Sequence, residues 1–407
     1  MTLVRRHAVW ILLAVGVIVR VALAFAFVGV TLDVLAYERV GQFLEHDPLL
    51  VYQVNESWIG GEVFPALPYP PGHLPWIAVT DGAAELTSLP FHGIVQLAPI
   101  LCDVAIAFAV RAHRRWRGAS ERLQLAGFAT VILGPTFIAV SGYQGQIESV
   151  AILPAVLGLI VWERRPASVG GVRSGVLIGL GAAVKLPAGL VVLALLPAAR
   201  SLREGAWMAV AAAAVPVAML LPFVAAWPDT LDWVLGYNGV TGRGGLSLVV
   251  DPSLGWDSIA FAELREATGL SGALASNGGP IVGVVTAGML AFLLRYRPAP
   301  IDAAVLLWLA VYASMPSFLL AYMIWGLPFF IMAGYVRQAA ILQVATVPAI
   351  VIAFFASDEG LGAVAATAYV GTVIALWAFW VVALAVLISR TAGRPILSPW
   401  RRPQTPI

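Results

Sequence analysis

Ten apolar stretches of roughly bilayer length, near 8–30, 92–110, 124–141, 146–162, 205–226, 279–295, 301–317, 319–335, 339–356 and 362–388, dominate the chain. Each is close to the roughly 20 residues that a helix needs to cross the hydrocarbon core. Backbone inside lipid must satisfy its own hydrogen bonds, so segments of this kind are helices. With 60% of residues hydrophobic and 11% charged, a soluble globular fold is excluded. The expected architecture is an all-α polytopic membrane protein of about 10 spans, one domain covering 1–407. A net charge of +2 gives a nucleic-acid partner no electrostatic footing. Cys102 is the single cysteine, so neither an intrachain disulfide nor a cysteine metal cluster is available. The apolar run after Arg5 and Arg6 is too long for a cleaved signal and no small-residue cleavage site precedes Asp33, so it reads as a retained anchor.

Charge placement sets the expected topology. Arg111, Arg114, Arg115, Arg117 and Arg122, then Arg164, Arg165 and Arg173, Arg295 and Arg297, Arg337, and finally Arg390, Arg394, Arg401 and Arg402 all fall on one side. The positive-inside rule puts that side, and both termini, in the cytoplasm. One span across 174–199 breaks the pattern by sending Arg200 and Arg203 outside. A break at Lys185-Leu186-Pro187, giving a re-entrant or twice-crossing helix pair, restores it. The outer face then carries a long first loop, 31–90, and a second, 227–278. Ser141 to Gln146, Pro316 to Met323 and Ser357 to Gly360 form shorter outer turns. Val34 to Leu44 has helical apolar spacing and reads as an amphipathic interfacial helix, while Pro65, Pro68, Pro70, Pro71 and Pro75 enforce extended chain up to Trp76.

Asp33 stands at the outer mouth of the first span, where it suits either a helix cap or chemistry at the membrane surface. Lys185 is an intramembrane cation, which is costly enough to signal either a buried ion pair with Asp103 or Glu148 or a site for a lipid-borne phosphate. Gln144, Gln146 and Glu148 lie at a helix junction, where two amides and a carboxylate suit sugar hydroxyls and equally suit capping and cross-bundle bonds. Asp103 reads as an interhelical structural residue. The segment Tyr237 to Ser247 is glycine-rich around Arg243 and lacks phosphate-loop spacing, so it reads as a mobile loop with one anion-binding arginine. His46, His73, His92 and His113 show no metal-ligand spacing; His73 is set apart by its place after the proline tract.

In order and topology, Asp33 with Tyr37, the run Leu67-Pro68-Tyr69-Pro70-Pro71-Gly72, Leu97 to Asp103, Gly145-Gln146-Ile147-Glu148-Ser149, Lys185-Leu186-Pro187 and Tyr322 to Pro328 together resemble the GT-C superfamily of polytopic glycosyltransferases. The chain is most similar to the bacterial polyprenyl-phosphate-mannose-dependent mannosyltransferases. Glu148 stands where related chains usually carry Asp after the Gly-Gln pair. The resemblance implies a polyprenyl-phosphate sugar donor, a glycolipid or glycan acceptor, surrounding membrane lipids as partners and an active site on the outer face of a cell membrane. It further implies inverting transfer of a hexose with Asp33 as general base, Lys185 or Arg243 on the departing phosphate, and Tyr37, Tyr69, His73, Gln146, Glu148 and Tyr322 around sugar and acceptor. The absence of a second Asp beside Asp33 implies metal-independent chemistry with no cofactor. Tyr322, Trp325, Phe329 and Phe330 read either as a lipid groove or as bundle packing. A transporter or flippase is the rival reading, because broken helices with a buried lysine also serve transport; a non-catalytic assembly subunit is the third.

Overall fold

The computed structural model describes residues 3–53, 55–58, 62–65, 68–164, 170–237, 239–263, 266–356 and 360–393. Leu67, Arg165, Asn238, Ser357 to Glu359, Arg394, Arg401 and Arg402 lie outside them. Helix α1 (Leu3–Ala26) is followed by α2 (Thr31–Leu44), a short antiparallel pair, β1 (Asn55–Trp58) with β2 (Glu62–Pro65), and α3 (Leu74–Thr87). Then come α4 (Phe91–Val95), α5 (Leu97–Trp116), α6 (Glu121–Ile132), α7 (Pro135–Ala139), α8 (Glu148–Arg164) and α9 (Gly170–Val184). The second half holds α10 (Val191–Leu195), α11 (Leu202–Ala226), α12 (Thr230–Gly236), α13 (Leu246–Val250), α14 (Pro252–Ala260), α15 (Gly269–Ser276) and α16 (Gly278–Tyr296). It closes with α17 (Pro300–Ser314), α18 (Met323–Ala333), α19 (Val336–Ala345), α20 (Val347–Phe355) and α21 (Gly362–Ala392).

Among the described residues, seven helices are long and apolar enough to cross a membrane: 7–26, 91–116, 121–144, 202–226, 278–296, 336–355 and 362–392. Four shorter apolar helical stretches, 170–184, 186–198, 300–314 and 320–333, and α8 pack with them. The β1–β2 pair is absent from the sequence expectation of an all-α chain; it sits in the first loop, outside the membrane helices.

The segment 170–198 is broken where Pro187 predicts. Proline lacks an N–H and its ring clashes with the preceding turn, so α9 ends at Val184 and Lys185 adopts extended backbone (φ −153°, ψ 119°) before a tight 3₁₀ turn over Leu186–Leu190. Helix α9 packs on α11 in parallel: Gly171 faces Glu204, Gly175 faces Met208 and Gly179 faces Ala212, in equal steps of four. Two parallel helices require a return path, and 186–198 supplies it. Arg200 and Arg203 therefore share the end of the bundle that holds Arg173. Arg164 belongs to the same end, since its Nη2 donates to the Ala112 carbonyl at 3.0 Å, and Arg114 Nη1 reaches the Ile331 carbonyl at 3.0 Å.

A fully buried ion pair locks the other half of this frame. Arg20 Nε donates to Asp103 Oδ2 at 3.1 Å and to Ser141 Oγ at 3.1 Å, and its other nitrogens donate to the carbonyls of Gly16, Val131 and Ile132. Asp103 also accepts from Ser141 and Ser149. One carboxylate thus ties α1 and α5 to both flanks of the segment 141–149, bearing out its reading as an interhelical residue.

Candidate functional site

The segment held by Asp103 is itself irregular. Val140–Gln144 forms a π-helical turn, a distortion that often marks functional positions, and Gly145 follows with φ +78°. These two departures carry Gln144 and Gln146 to Asp33. Gln144 Nε2 donates to Asp33 Oδ2 at 3.3 Å, and the Gln146 amide acts on the same carboxyl, favouring its ionised form. Asp33 occupies the first turn of α2, whose N-cap, Val30, makes no side-chain cap bond. The helix dipole there favours the carboxylate form. Burial acts more strongly and pushes the Asp33 carboxyl above the usual carboxylate range; Gln146, Gln144 and Lys185 oppose the rise and Glu148 adds to it. Tyr37, one turn along α2 and so on the same face, is buried and meets the His73 ring edge-on at 5.9 Å between centroids.

Gly72 lies against the backbone of Ala183 and Val184, an approach that a side chain at this position would obstruct. This contact brings the proline tract onto the broken end of α9, with Tyr69 beside Lys185 and His73 against Tyr37. Lys185 Nζ donates to Glu148 Oε1 at 2.6 Å and faces the Tyr69 ring at 4.3 Å, the Tyr322 ring at 5.3 Å and the Trp325 ring at 5.9 Å. Tyr322 and Trp325 stack at 4.2 Å. Tyr312 Oη sets the turn that presents them: it donates to the Tyr322 carbonyl at 2.8 Å and accepts from the Gly326 N–H at 2.6 Å. Tyr237 of the second loop closes over this group. Its ring meets Tyr69 edge-on at 5.8 Å, and burial pushes its hydroxyl up to about 12.

A cavity of about 250 Å³ opens beside Lys185, walled by Pro68, Tyr69, Pro187, Tyr237, Tyr322 and Trp325 among others. Asp33 is electrostatically coupled to both Lys185 and Tyr237. Anionic and cationic groups therefore meet at one end of the bundle, opposite the arginine-rich end. Several buried polar atoms there have no partner: Gln144 Oε1, Gln146 Oε1, Glu148 Oε2, His73 Nε2 and Trp325 Nε1. Unpaired buried groups are costly, and a hydroxyl-rich ligand offers partners to acceptor and donor alike. Burial pushes His73 down to about 3, so it is neutral near pH 7 and serves as a hydrogen-bonding group.

Asp33, Tyr37, Tyr69, His73, Gln146, Glu148, Lys185 and Tyr322 are thus brought together from five separate segments of the chain. Arg243 is kept apart. Its Nη1 donates to the Ala353 carbonyl at 3.5 Å and its own carbonyl accepts from Tyr369 Oη, so its contacts are with the C-terminal helices. The expectation of a mobile loop around it is also corrected. Leu246 and Ser247 N–H groups donate to the carbonyls of Met315 and Pro316, and Phe318 N–H donates to Gly244, which pins the glycine-rich strand to the α17–α18 junction. Phe329 and Phe330 are buried and pack against Trp308 and Trp380, so they belong to the bundle core; only Tyr322 and Trp325 of that stripe reach the cavity. Tyr237 is a functional candidate that the expected site lacked, and Gln144, expected at the junction as one of two amides suited to sugar hydroxyls or to capping, is brought onto Asp33. The Gly-Tyr-Gln-Gly-Gln run contained the signal for Gln144; Tyr237, one aromatic among many, carried none. Among the described residues, no group of three or more His, Cys, Asp or Glu side chains is placed to hold a metal ion.

A family model described as glycosyltransferase family 87 matches residues 67–321. The match includes Tyr69, His73, Gln146, Glu148, Lys185 and Arg243, and leaves Asp33, Tyr37 and Tyr322 outside. No curated protein and no solved structure matches the chain.

Proposed function

The chain belongs to glycosyltransferase family 87, and from that premise we propose that it moves a hexose, mannose in the first instance, from a polyprenyl phosphate to a hydroxyl of a lipid-linked or glycan acceptor. The observation that supports this most is Asp33, bonded by the Gln144 amide, facing the field of Lys185, which lines an aromatic cavity. The acceptor hydroxyl approaches Asp33. Its oxygen forms a bond to the anomeric carbon, the carbon–oxygen bond to phosphate breaks with its electron pair on phosphate, and the hydroxyl proton passes to Asp33. Attack opposite the leaving group inverts the anomeric centre.

Each side chain has a physical reason for its part. A base works best when its pKa lies near the working pH, and burial moves Asp33 in that direction. The leaving phosphate gains a negative charge in the step, so a fixed cation is worth more to it than a proton donor. Lys185 supplies that cation by exchanging part of its bond to Glu148 for the phosphate oxygens. Tyr69, Tyr322 and Trp325 offer faces to the sugar ring, while the open atoms of Gln144, Gln146, His73 and Trp325 meet its hydroxyls. The site belongs on the outer face, opposite the arginine-rich end and both termini.

The test is transfer by protein reconstituted in vesicles, offered polyprenyl-phosphate mannose, glucose and pentose with a panel of glycolipid acceptors. Product formed from the mannosyl donor with inverted configuration is expected. Donor hydrolysis or transport without transfer across the whole panel contradicts the reading.

A further inference from the structure

The arginine-rich end of the bundle contains a second cavity, of about 500 Å³, lined by Phe108, Arg111, Ala112, Arg115, Trp116 and Arg164. Three arginines line it and, among the described residues, no carboxylate does. Residues 108, 111, 112 and 115 recur at helical spacing, so the last turns of α5 present them on one face, and the end of α8 brings Arg164 alongside. Arg164 is held in place from within: Nη2 donates to the Ala112 carbonyl at 3.0 Å, and the guanidinium lies over the Trp116 ring at 5.3 Å. A guanidinium fixed by one donor and a stacked face keeps its remaining N–H groups for a ligand. The nearest acid along the chain, Glu163, turns Oε2 to His113 Nε2 at 2.7 Å and does not line the cavity. Among the described residues, no ion pair or hydrogen bond engages the side chain of Arg111, which is half-buried, or of Arg115, which is exposed.

The location says what kind of anion fits. Helices α4 and α5 together form the candidate span 91–116, and Trp116, 45% exposed, sits at its end. Tryptophan at a span terminus marks the level of the lipid headgroups. The cavity therefore combines cations at headgroup depth with apolar walls, Phe108 and Trp116, toward the hydrocarbon. A free phosphate ion makes no use of such walls, whereas a phospholipid fills both parts. We propose that this cavity binds the phosphate headgroup of an anionic phospholipid, with Arg111, Arg115 and Arg164 on the phosphate oxygens and Phe108 and Trp116 against the adjoining glycerol and acyl chain. Basic pockets between membrane helices select anionic headgroups for this electrostatic reason. The proposal is independent of the chemistry at Asp33, which lies at the other end of the bundle.

The experiment uses the full chain in neutral detergent, with bound lipid counted by native mass spectrometry. The probes are phosphatidylglycerol, phosphatidylcholine and inorganic phosphate. Retention of phosphatidylglycerol in preference to phosphatidylcholine is expected, with each of Arg111→Gln, Arg115→Gln and Arg164→Gln weakening it by about fivefold. Arg164→Gln also removes the bond to Ala112, so Arg111→Gln and Arg115→Gln carry the test if that variant is poorly folded. Equal retention of the two lipids, unchanged phosphatidylglycerol binding in the Arg111 and Arg115 variants, or complete displacement of the lipid by an equal concentration of inorganic phosphate would each overturn the proposal.

Discussion

The two ion pairs Arg20–Asp103 and Lys185–Glu148 are both buried, both join distant helices and both involve the junction between α7 and α8, yet they are built differently. Every nitrogen of the Arg20 guanidinium donates to at least one acceptor, and both Asp103 oxygens accept. Among the described residues, Lys185 makes a single hydrogen bond and otherwise faces aromatic rings on a cavity, while Glu148 Oε2 has no partner. A buried pair whose bonding is complete holds elements in place; one left with spare capacity beside a cavity is available to a ligand. Replacing a buried pair by apolar side chains is often nearly neutral for stability, whereas removing one partner is severe, and this asymmetry lets the two roles be separated.

The largest effect is expected at the satisfied pair. Asp103→Leu leaves Arg20 charged and unpaired, which costs about 3–5 kcal/mol, so a sharp fall in yield and in the unfolding midpoint in detergent is the expected outcome. A midpoint equal to that of the parent protein breaks the comparison from this side. Next comes the combined change at each pair. Arg20→Met with Asp103→Leu should recover much of the lost stability together with turnover, while Lys185→Met with Glu148→Leu should keep a near-parental midpoint and lose on the order of 100-fold in kcat, the scale of one removed charge-stabilising donor. Equal loss of turnover in both double variants would erase the distinction.

The pH dependence sharpens the contrast further. Burial raises the Asp33 carboxyl above its ordinary value, and only the ionised form accepts a proton, so kcat/KM should be flat above that raised pKa. It should fall about tenfold per pH unit below it, from a point higher than an exposed aspartate would show. An acid limb confined to the ordinary carboxylate range contradicts the burial of Asp33. The smallest effect is expected at Arg243, whose side chain contacts Ala353: Arg243→Gln should change the donor KM by no more than about twofold. A tenfold rise would restore it to the phosphate site.

Much of the frame was legible because apolar length is a strong signal and proline a strong interruption. Each of the ten expected stretches overlaps helix, with seven helices among the described residues long and apolar enough to cross a membrane, and the break at Pro187 falls where the sequence places it. Asp33 and Lys185 stood out because an ionisable group in apolar surroundings is conspicuous. The same argument applied to Arg20, a lone arginine inside the first span, yet its role went unread; the Asp103 pairing depends on a contact across 83 positions. Tyr237 was invisible for another reason, and the same difficulty left Trp325 open between a lipid groove and bundle packing. In a chain with 41 aromatic residues (17 Phe, 14 Trp, 10 Tyr), ring type alone does not separate a cavity wall from core packing. Arg243 shows the converse error, since glycine neighbours suggested freedom where backbone bonds to Met315, Pro316 and Gly244 impose order.

The central claim rests on one proton transfer, and one substitution isolates it. Asp33→Asn keeps the shape of the side chain and removes its basicity. In purified, reconstituted protein whose unfolding midpoint matches the parent, transfer from polyprenyl-phosphate mannose should fall by about 100- to 10,000-fold with donor binding retained. Near-parental turnover in that variant would contradict Asp33 as the base.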